Sequence, residues 1–266
     1  MKFAMYNHRA VIIKDGSMQL INGFNDVKSL LPHLNEKLFL SSKRNLPDTN
    51  LLEAPITDPK QIFAVGFNYR DHLQELKTKA PKSPNIFTKF VSSLAGPNPT
   101  VAIPSSKTDW ETELVVVIGK DGRNIKKIDA QEHIAGYMIG QDLSDRQLQF
   151  ANDEPQFSLA KSYKNFSPIG PWLTTPDEID DLGSLNISTT LNGVEKQHSQ
   201  LKNLIFDPKN LVSYLSTIAE LYPGDLIFTG TPGGVGAGRN PQEFLKPGDQ
   251  LISRIDQLGQ LTINFK

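Results

Sequence analysis

Two glutamates lead into the most apolar stretch of the chain. Glu111 and Glu113 precede and begin the run Glu-Leu-Val-Val-Val-Ile at 113–118. Its β-branched residues predict a strand, in which alternate Cα atoms lie roughly 6.6 Å apart on one face. Two carboxylates on such a face repel each other and resist burial, and a hard cation such as Mg²⁺, Mn²⁺ or Ca²⁺ would relieve both costs. The alternative is a solvated strand face whose acids meet basic neighbours.

A third carboxylate ends the next apolar run. Residues 136–141, Gly-Tyr-Met-Ile-Gly-Gln, read as a strand, and Asp142 follows them. If this strand neighbours the first, Asp142 completes a three-carboxylate site with open positions for water and substrate. The alternative is that Asp142 caps a turn.

An imidazole and a carboxylate lie three residues apart in the segment GFNYRDHLQE at 66–75. On a helical turn, His72 and Glu75 are neighbours. A carboxylate that orients an imidazole is the arrangement that a general base needs. An exposed helix with an incidental pair is the alternative.

Other segments carry weaker signals. The stretch TGTPGGVGAG at 229–238 lacks both the Gly-Lys-Ser/Thr ending and the Gly-x-Gly-x-x-Gly spacing of nucleotide sites. It is either a loop that lines a site or an ordinary turn. Lys161 and Arg146 are candidates for binding a substrate carboxylate, although most isolated lysines are only solvated. No His–Asp partners for Ser144 are legible, which argues against a serine triad.

The elements that must position these residues are mainly short strands. Helical spacing predicts three helices, over 27–38, 70–77 and 208–221, with a kink or break at Pro32 in the first. Asp15-Gly16 predicts a hairpin over 9–21. Strands and helices do not alternate strictly, which argues against a doubly wound sheet or a TIM barrel. Runs bounded by Gly, Pro, Asp or Asn predict the remaining strands at 61–66, 113–118, 135–139, 185–191, 225–228 and 250–255.

Composition limits the class of protein. The 266 residues are 38% hydrophobic and 21% charged, which suits a large domain with a sizeable core. With 28 basic and 29 acidic side chains the net charge is −1, which argues against a nucleic-acid or membrane-surface binder. The absence of cysteine excludes disulfides and thiolate sites. No signal peptide or bilayer-spanning run is legible, so we expect a soluble, cytoplasmic protein.

A cluster of turn residues suggests a boundary between two parts of the chain. Pro47, Asp48, Pro55, Asp58 and Pro59 fall within about a dozen residues. We therefore predict a small N-terminal, β-containing domain over 1–58 and a larger domain over 59–266.

Taken together, six segments resemble the fumarylacetoacetate hydrolase (FAH) family over roughly residues 60–266. Each alone is weak, but all occur in the family's order. They are GFNYRDHLQE at 66–75, PNIFTKF at 84–90, DWETELVVVIGKDGR at 109–123, GYMIGQDLSDRQLQ at 136–149, KSYKNFSPIGPW at 161–172 and PGDLIFTGTPGGVG at 223–236.

The resemblance implies an α+β, β-rich fold, a mixed β-sandwich or β-roll with few helices, usually in a homodimer. It also implies a divalent cation, with Mg²⁺ expected first and Mn²⁺ or Ca²⁺ as alternatives, and a short helix that acts as a lid. The implied metal ligands are Glu111, Glu113 and Asp142, the catalytic residues are His72, Glu75 and Lys161, and the substrate-binding residues are Arg146, Gln149, Tyr137 and Thr231.

One segment departs from the family pattern. The family commonly has Ser-Ala-Arg-Asp where this chain has Ser144-Asp145-Arg146-Gln147. The added acid beside Arg146 and the lost acid after it would change how Arg146 is paired, which bears on substrate choice more than on the metal site.

From the resemblance we expect a metal-dependent hydrolase that cleaves a carbon–carbon bond in a 2,4-dioxo acid, such as an acylpyruvate, fumarylpyruvate or a diketo sugar acid. The reaction would pass through an enolate. The alternative uses the same enolate without attacking water: a decarboxylase, isomerase or lyase for a 2-oxo acid of the oxaloacetate or 2-hydroxyhepta-2,4-diene-1,7-dioate type. A second alternative is a non-catalytic metabolite-binding protein. The expected partner is a small keto acid, with no nucleic acid and no membrane.

Overall fold

Strands outnumber helices in a computed structural model, which describes residues 1–45, 48–75 and 79–266. The α-helices are α1 (Val27–Leu30), α2 (Arg70–Glu75), α3 (Arg146–Gln149), α4 (Phe157–Ala160) and α5 (Pro208–Ser216). The strands are β1 (Lys2–Tyr6), β2 (Arg9–Lys14), β3 (Ser17–Leu20), β4 (Arg44–Asn45), β5 (Ile62–Gly66), β6 (Asn85–Thr88), β7 (Leu94–Ala95), β8 (Thr100–Val101), β9 (Thr108–Asp109), β10 (Thr112–Ile118), β11 (Ile134–Gln141), β12 (Ser144–Asp145), β13 (Ser167–Thr174), β14 (Asn186–Leu191), β15 (Val194–Gln200), β16 (Leu226–Phe228), β17 (Gln250–Ile255) and β18 (Gly259–Phe265).

A large sheet with β10 and β11 near its centre organises the fold. Its strand order is β4-β3-β2-β1-β13-β11-β10-β16-β5-β6, with β7 added beside β13. Every residue of β10 and β11 is buried, because both faces of the sheet are covered. This explains why the sequence of β10 is a continuous apolar run and does not alternate.

A second sheet covers one face of the first. Its order is β15-β14-β17-β18-β8, and β14 alternates strictly between buried and half-buried residues. Ile187 and Leu261 from this sheet join Val116 of β10 and Leu211 of α5 in one core cluster. On the opposite face of the large sheet, residues of α1 pack with side chains of β1, β2 and the central strands in a second core cluster. The β-rich sandwich with few helices predicted from the sequence is confirmed.

The predicted hairpin is present: β2 pairs with β3 around Asp15 and Gly16, both at positive φ. The first predicted helix is shorter than expected, because Pro32 falls in a 3₁₀ turn that follows α1. The helix predicted over 208–221 ends at Ser216. The helix predicted over 70–77 is described only to Glu75, and residues 76–77 lie outside the described residues. Within the described ranges, no helix is long and apolar enough to cross a membrane.

The N-terminal strands extend the large sheet. Lys2 pairs with Thr174 and Phe3 with Leu173, so β1 is bonded to β13, a strand of the predicted larger domain. Phe3 has no exposed surface and packs in the same cluster as Val115, Met138 and Leu173. The elements before and after the predicted boundary near residue 58 therefore belong to one sheet and share one core.

This shared core predicts that the chain unfolds in a single transition. Phe3→Ala should lower the free energy of unfolding by about 3–5 kcal/mol, the usual cost of emptying a buried phenylalanine site. Calorimetry should show one transition displaced as a whole to lower temperature. Phe39→Ala is the matched control, because Phe39 is 73% exposed. A separate early transition for the N-terminal part would contradict the prediction.

Candidate active site

The antiparallel pairing of β10 with β11 brings the three predicted metal ligands together. Thr112 lies opposite Gln141, so Glu111 just before β10 meets Asp142 just after β11. The Asp142 N–H donates to the Glu111 carbonyl at 2.8 Å. One oxygen from each of Glu111, Glu113 and Asp142 lies within 4.8 Å of the others, and all three residues are buried. This all-oxygen donor set fits a hard divalent cation.

Two buried lysines offset part of the negative charge. Lys161 donates to Glu111 Oε2 at 2.8 Å, to Asp142 Oδ2 at 2.7 Å and to Ser144 Oγ at 2.8 Å. Burial alone would lower the pKa of Lys161, but the charges of Asp142 and Glu111 outweigh it and raise the pKa above its usual value. Lys89 pairs with the other oxygen of Asp142, and burial lowers its pKa.

Arg146 compensates the remaining oxygen of Glu111. Its Nη2 donates to Glu111 Oε1 at 2.5 Å, its Nε to Asp109 Oδ2 at 2.8 Å and its Nη1 to Gln149 Oε1 at 2.8 Å. Burial favours the neutral form of Glu111, but the charges of Lys161 and Arg146 lower its pKa to about 2. Glu111 is therefore ionised and ready to act as a ligand at neutral pH.

Glu113 is the carboxylate left with the least compensation. Burial and the charges of Asp142 and Glu111 raise its pKa well above the usual range. Among the described residues, the backbone N–H of Gly230 donates a hydrogen bond to Glu113 Oε2 at 2.7 Å. Gly230 has φ +98°, and a Cβ there would lie 2.9 Å from the Val65 carbonyl, so this donor requires glycine. A divalent cation would supply the missing positive charge.

The buried charges of the whole cluster do not balance. With every group ionised, the cluster carries one net negative charge, so a divalent cation would leave one positive charge available for an anionic substrate. The anions are Asp109, Glu111, Glu113 and Asp142, and the cations are Lys89, Arg146 and Lys161.

The predicted imidazole–carboxylate pair forms on α2. His72 Nδ1 lies 3.3 Å from Glu75 Oε2, which also accepts from the Gly234 N–H at 3.1 Å. The hydrogen bond from His72, and to a lesser extent that from Gly234, keeps the pKa of Glu75 below its usual value despite partial burial. Phe67 turns the chain from β5 into α2 at φ +59°, an uncommon conformation for an aromatic residue, and its ring stacks on His72.

A cavity of about 280 Å³ connects the acidic cluster with this pair. The predicted site residues that line it are His72, Glu111, Arg146, Gln149, Lys161 and Thr231. Its other walls are mainly apolar, with Val65, Phe67, Phe87, Phe150, Phe157 and Val235. Concave sites with apolar walls and few convergent polar groups are typical of small-molecule binding.

Tyr137 is the predicted substrate-binding residue that the structure places elsewhere. It lies in the interior of β11, pairs with Val116 and packs in the core between the sheets. Its side chain borders a different cavity, beside Arg70 and Gln131. Tyr137 precedes Asp142 by five strand positions, which separates the two by roughly 16 Å.

Asp145, the acid added in the segment that departs from the family pattern, does not pair with the Arg146 side chain. Asp145 accepts from the backbone N–H groups of Gln147 and Leu148 and caps α3. It also accepts from Ser105 and Tyr163, and Arg146 pairs with Asp109 and Glu111. Ser144 serves as a hydrogen-bond partner of Lys161 and donates to the Asp142 carbonyl.

Sequence reasoning missed two buried charged residues at the site, Lys89 and Asp109. Lys89 lies just after β6, and its role depends on the non-local approach of Asp142, which no local pattern reveals. Asp109 carried a usable signal, because it precedes Glu111 by two residues and so falls on the same side of an extended chain. The glycine-rich stretch, for which two interpretations were open, contributes Thr231, Val235, Ala237 and Gly238 to the cavity wall.

Known proteins with similar sequences and structures share this arrangement of elements. Human mitochondrial oxaloacetate tautomerase FAHD2A is 42% identical over 208 residues, which is 77% of this chain and 66% of that protein. The match thus spans just under two thirds of the mammalian relative. A solved protein of Mycobacterium smegmatis, assigned as HpcE, is 44% identical with a TM-score of 0.92 and covers 100% of this chain and 99% of its own.

A second solved structure extends the likeness to isomerases. The 2-hydroxyhepta-2,4-diene-1,7-dioate isomerase of Mycobacterium marinum is 28% identical with a TM-score of 0.80, over 100% of this chain and 98% of its own. The sequence profile of the fumarylacetoacetate (FAA) hydrolase C-terminal domain matches residues 61–266. The chain therefore belongs to the fumarylacetoacetate hydrolase family.

Proposed function

We propose that the protein catalyses proton transfer beside the carbonyl of a small 2-oxo acid, with keto–enol tautomerisation of an oxaloacetate-type acid as the reaction. The observation that carries the proposal is that Glu111, Lys161 and His72 line one cavity. The relatives named as an oxaloacetate tautomerase and a dienedioate isomerase support this reaction more than the carbon–carbon hydrolysis expected from the family resemblance.

Glu111, Glu113 and Asp142 would hold the divalent cation, with Mg²⁺ expected first. Bound there, the ion would supply Lewis-acid stabilisation of negative charge on a 2-oxo acid. Lys161 lies 2.7–2.8 Å from two of these carboxylates and lines the cavity. Its ammonium group would add positive charge where the substrate oxygen becomes negative.

His72 would move the proton. Glu75 holds Nδ1, which leaves Nε2 to take a proton from carbon 3 of the keto acid. The C–H bond breaks, its electron pair forms the carbon–carbon double bond, and His72 returns the proton to the 2-oxo oxygen to give the enol. The reverse steps convert the enol to the keto acid, and no proton is consumed overall.

The apolar walls favour this chemistry over hydrolysis. Hydrolysis needs a water molecule placed against a second carbonyl, whereas tautomerisation needs only the acid–base groups already described. Phe67 stacks on His72, and Phe87 packs against Phe157 elsewhere in the lining, so aromatic rings make up much of the cavity wall. Removal of water strengthens the electrostatic interactions on which proton transfer depends.

The proposal is tested by mixing the Mg²⁺-loaded protein with the enol form of oxaloacetate and following the loss of its ultraviolet absorbance. We expect an accelerated loss that a chelator abolishes, with no release of pyruvate or carbon dioxide. Acylpyruvates in ¹⁸O-labelled water form the parallel assay. Label in a product carboxylate together with an unchanged enol decay would establish hydrolysis in place of tautomerisation, and pyruvate release from oxaloacetate would establish decarboxylation.

Replacing one carboxylate should weaken cation binding specifically. Glu113→Gln removes a ligand charge, and we expect the Mn²⁺ or Mg²⁺ affinity measured by calorimetry to fall by at least about tenfold, since losses of this size follow even from changes behind the ligands. Asp225→Asn is the control, a buried carboxyl that bonds Gln61 and Tyr222, away from the cluster. Equal affinities in wild type and Glu113→Gln would remove Glu113 from the set of ligands.

Removing the imidazole should separate turnover from cation binding. His72→Ala should lower kcat by about 10²–10⁴-fold, the usual contribution of a positioned acid–base group. Its cation affinity should stay near that of the wild type. His33→Ala is the matched control, because His33 forms an exposed pair with Glu36 at the same three-residue spacing. Undiminished turnover in His72→Ala would exclude His72 as the base.

A further inference from the structure

Asp109 is completely buried, and both of its carboxylate oxygens accept hydrogen bonds from distant parts of the chain. Oδ1 accepts from the Gly236 N–H at 2.6 Å and from its neighbour Trp110 at 2.8 Å. Oδ2 accepts from the Ala237 N–H at 3.0 Å and from Arg146 Nε at 2.8 Å. One side chain therefore ties the loop at 234–237 to the guanidinium group.

The loop continues this connection to the acid–base pair. The Gly234 N–H donates to Glu75, whose carboxylate holds His72 Nδ1. The Gly234 carbonyl accepts from Trp110 Nε1 at 3.2 Å, so the residue after Asp109 fixes the same loop from its other side. Gly234 has φ +99°, and a Cβ there would collide with the Lys196 carbonyl, so the loop has little freedom to adopt another path.

Arg146 links Asp109 to the carboxylate cluster. Its Nη2 contacts both Asp109 Oδ2, at 2.8 Å, and Glu111 Oε1, at 2.5 Å. Asp109 thus shares the guanidinium charge with Glu111. Without the Asp109 carboxylate, Arg146 would pair with Glu111 alone. It would then compete more strongly with a bound cation for the oxygen of Glu111.

We propose that Asp109 is a positioning residue that couples the carboxylate cluster to the His72–Glu75 pair. It holds Arg146 against Glu111 and the loop against Glu75, and so sets where the imidazole stands relative to the cation site. The role assigned to His72 rests on the proposed function, whereas the coupling between loop and cluster stands on the contacts alone.

Asp109→Asn is the primary test, because asparagine keeps the size of the side chain but removes its charge and one acceptor oxygen. We expect calorimetry to show Mn²⁺ affinity weakened by about 10–100-fold, the usual effect of changing a group behind a metal ligand. We also expect faster amide hydrogen exchange in segments 66–75 and 232–239. Exchange in the hairpin of β2 and β3, which belongs to the N-terminal part of the large sheet, should not change.

Asp145→Asn is the matched control. Asp145 is 3% exposed and precedes Arg146, but it caps α3 and touches neither the guanidinium group nor the loop. Its cation affinity and the exchange of both segments should stay near those of the wild type. If Asp109→Asn and Asp145→Asn weakened cation affinity equally, loss of a negative charge would be a sufficient explanation and the proposal would be overturned.

A double-mutant cycle with Glu75→Gln separates positioning from general destabilisation. At saturating cation, each single variant should lower kcat more than it raises KM, and the double variant should be little worse than either, because both act through the placement of His72. Fully additive losses in kcat would show that Asp109 does not act through Glu75 and would overturn the proposal.

Wild-type protein provides the test if Asp109→Asn does not fold. Mn²⁺ loading should slow hydrogen exchange in both 66–75 and 232–239, and unchanged exchange would overturn the coupling. Calorimetry and hydrogen exchange need no substrate, so failure of the wild type to act on oxaloacetate would count against the proposed function and leave these two results to judge Asp109. The kinetic cycle then uses whichever 2-oxo acid is turned over.

Discussion

Three carboxylates held within 4.8 Å of one another in a buried place are the constraint on which the rest of the site depends. Isolated charges at such depth are too costly to keep, so each must be compensated. Lys161, Lys89 and Arg146 neutralise Glu111 and Asp142, and the raised pKa of Glu113 marks where compensation is incomplete. This deficit is local, and it coincides with an all-oxygen ligand set. The carboxylate oxygens that lack positive partners are therefore the same atoms that could bind a divalent cation.

The sandwich makes this concentration of charge tolerable. The strands β10 and β11 are buried on both faces, so their ends are fixed by packing as well as by hydrogen bonds. The charged residues occupy these ends and the connections beyond them, where side chains of β9 and β12 and backbone N–H groups of the glycine-rich loop meet. A rigid sheet thus provides precise placement, and loops provide the donors that a strand interior has already used in its ladder.

The sequence predicted the parts of the fold that are local. The apolar run of β10, the Asp15-Gly16 hairpin and the break of the first helix at Pro32 all follow from short-range preferences. The strand β13, with Pro168 and Pro171, was missed because proline is unfavourable inside sheets, and here its neighbours on both sides supply the pairing. Pairing between β10 and β11 brought three separate acids into one cluster; the residues alone made this site conditional on the two strands being neighbours, and the family resemblance favoured it. Lys89 and Tyr137 show the limit: whether a side chain in or beside a strand reaches the site depends on register and on contacts distant in sequence.

The residues in and behind the cavity lining differ in how many contacts they make. On the acid–base side, Glu75 serves both the imidazole and Gly234, and Gly234 in turn is enclosed by Lys196 and Trp110. By contrast, Phe150 and Phe157 line the cavity without taking part in the polar chain. An altered residue in the polar chain disturbs several contacts at once, whereas an altered Phe150 or Phe157 changes mainly the shape of the cavity. Evolutionary diversification of ligand preference on this scaffold should therefore concentrate at positions such as Phe150 and Phe157, while the polar chain is held nearly invariant.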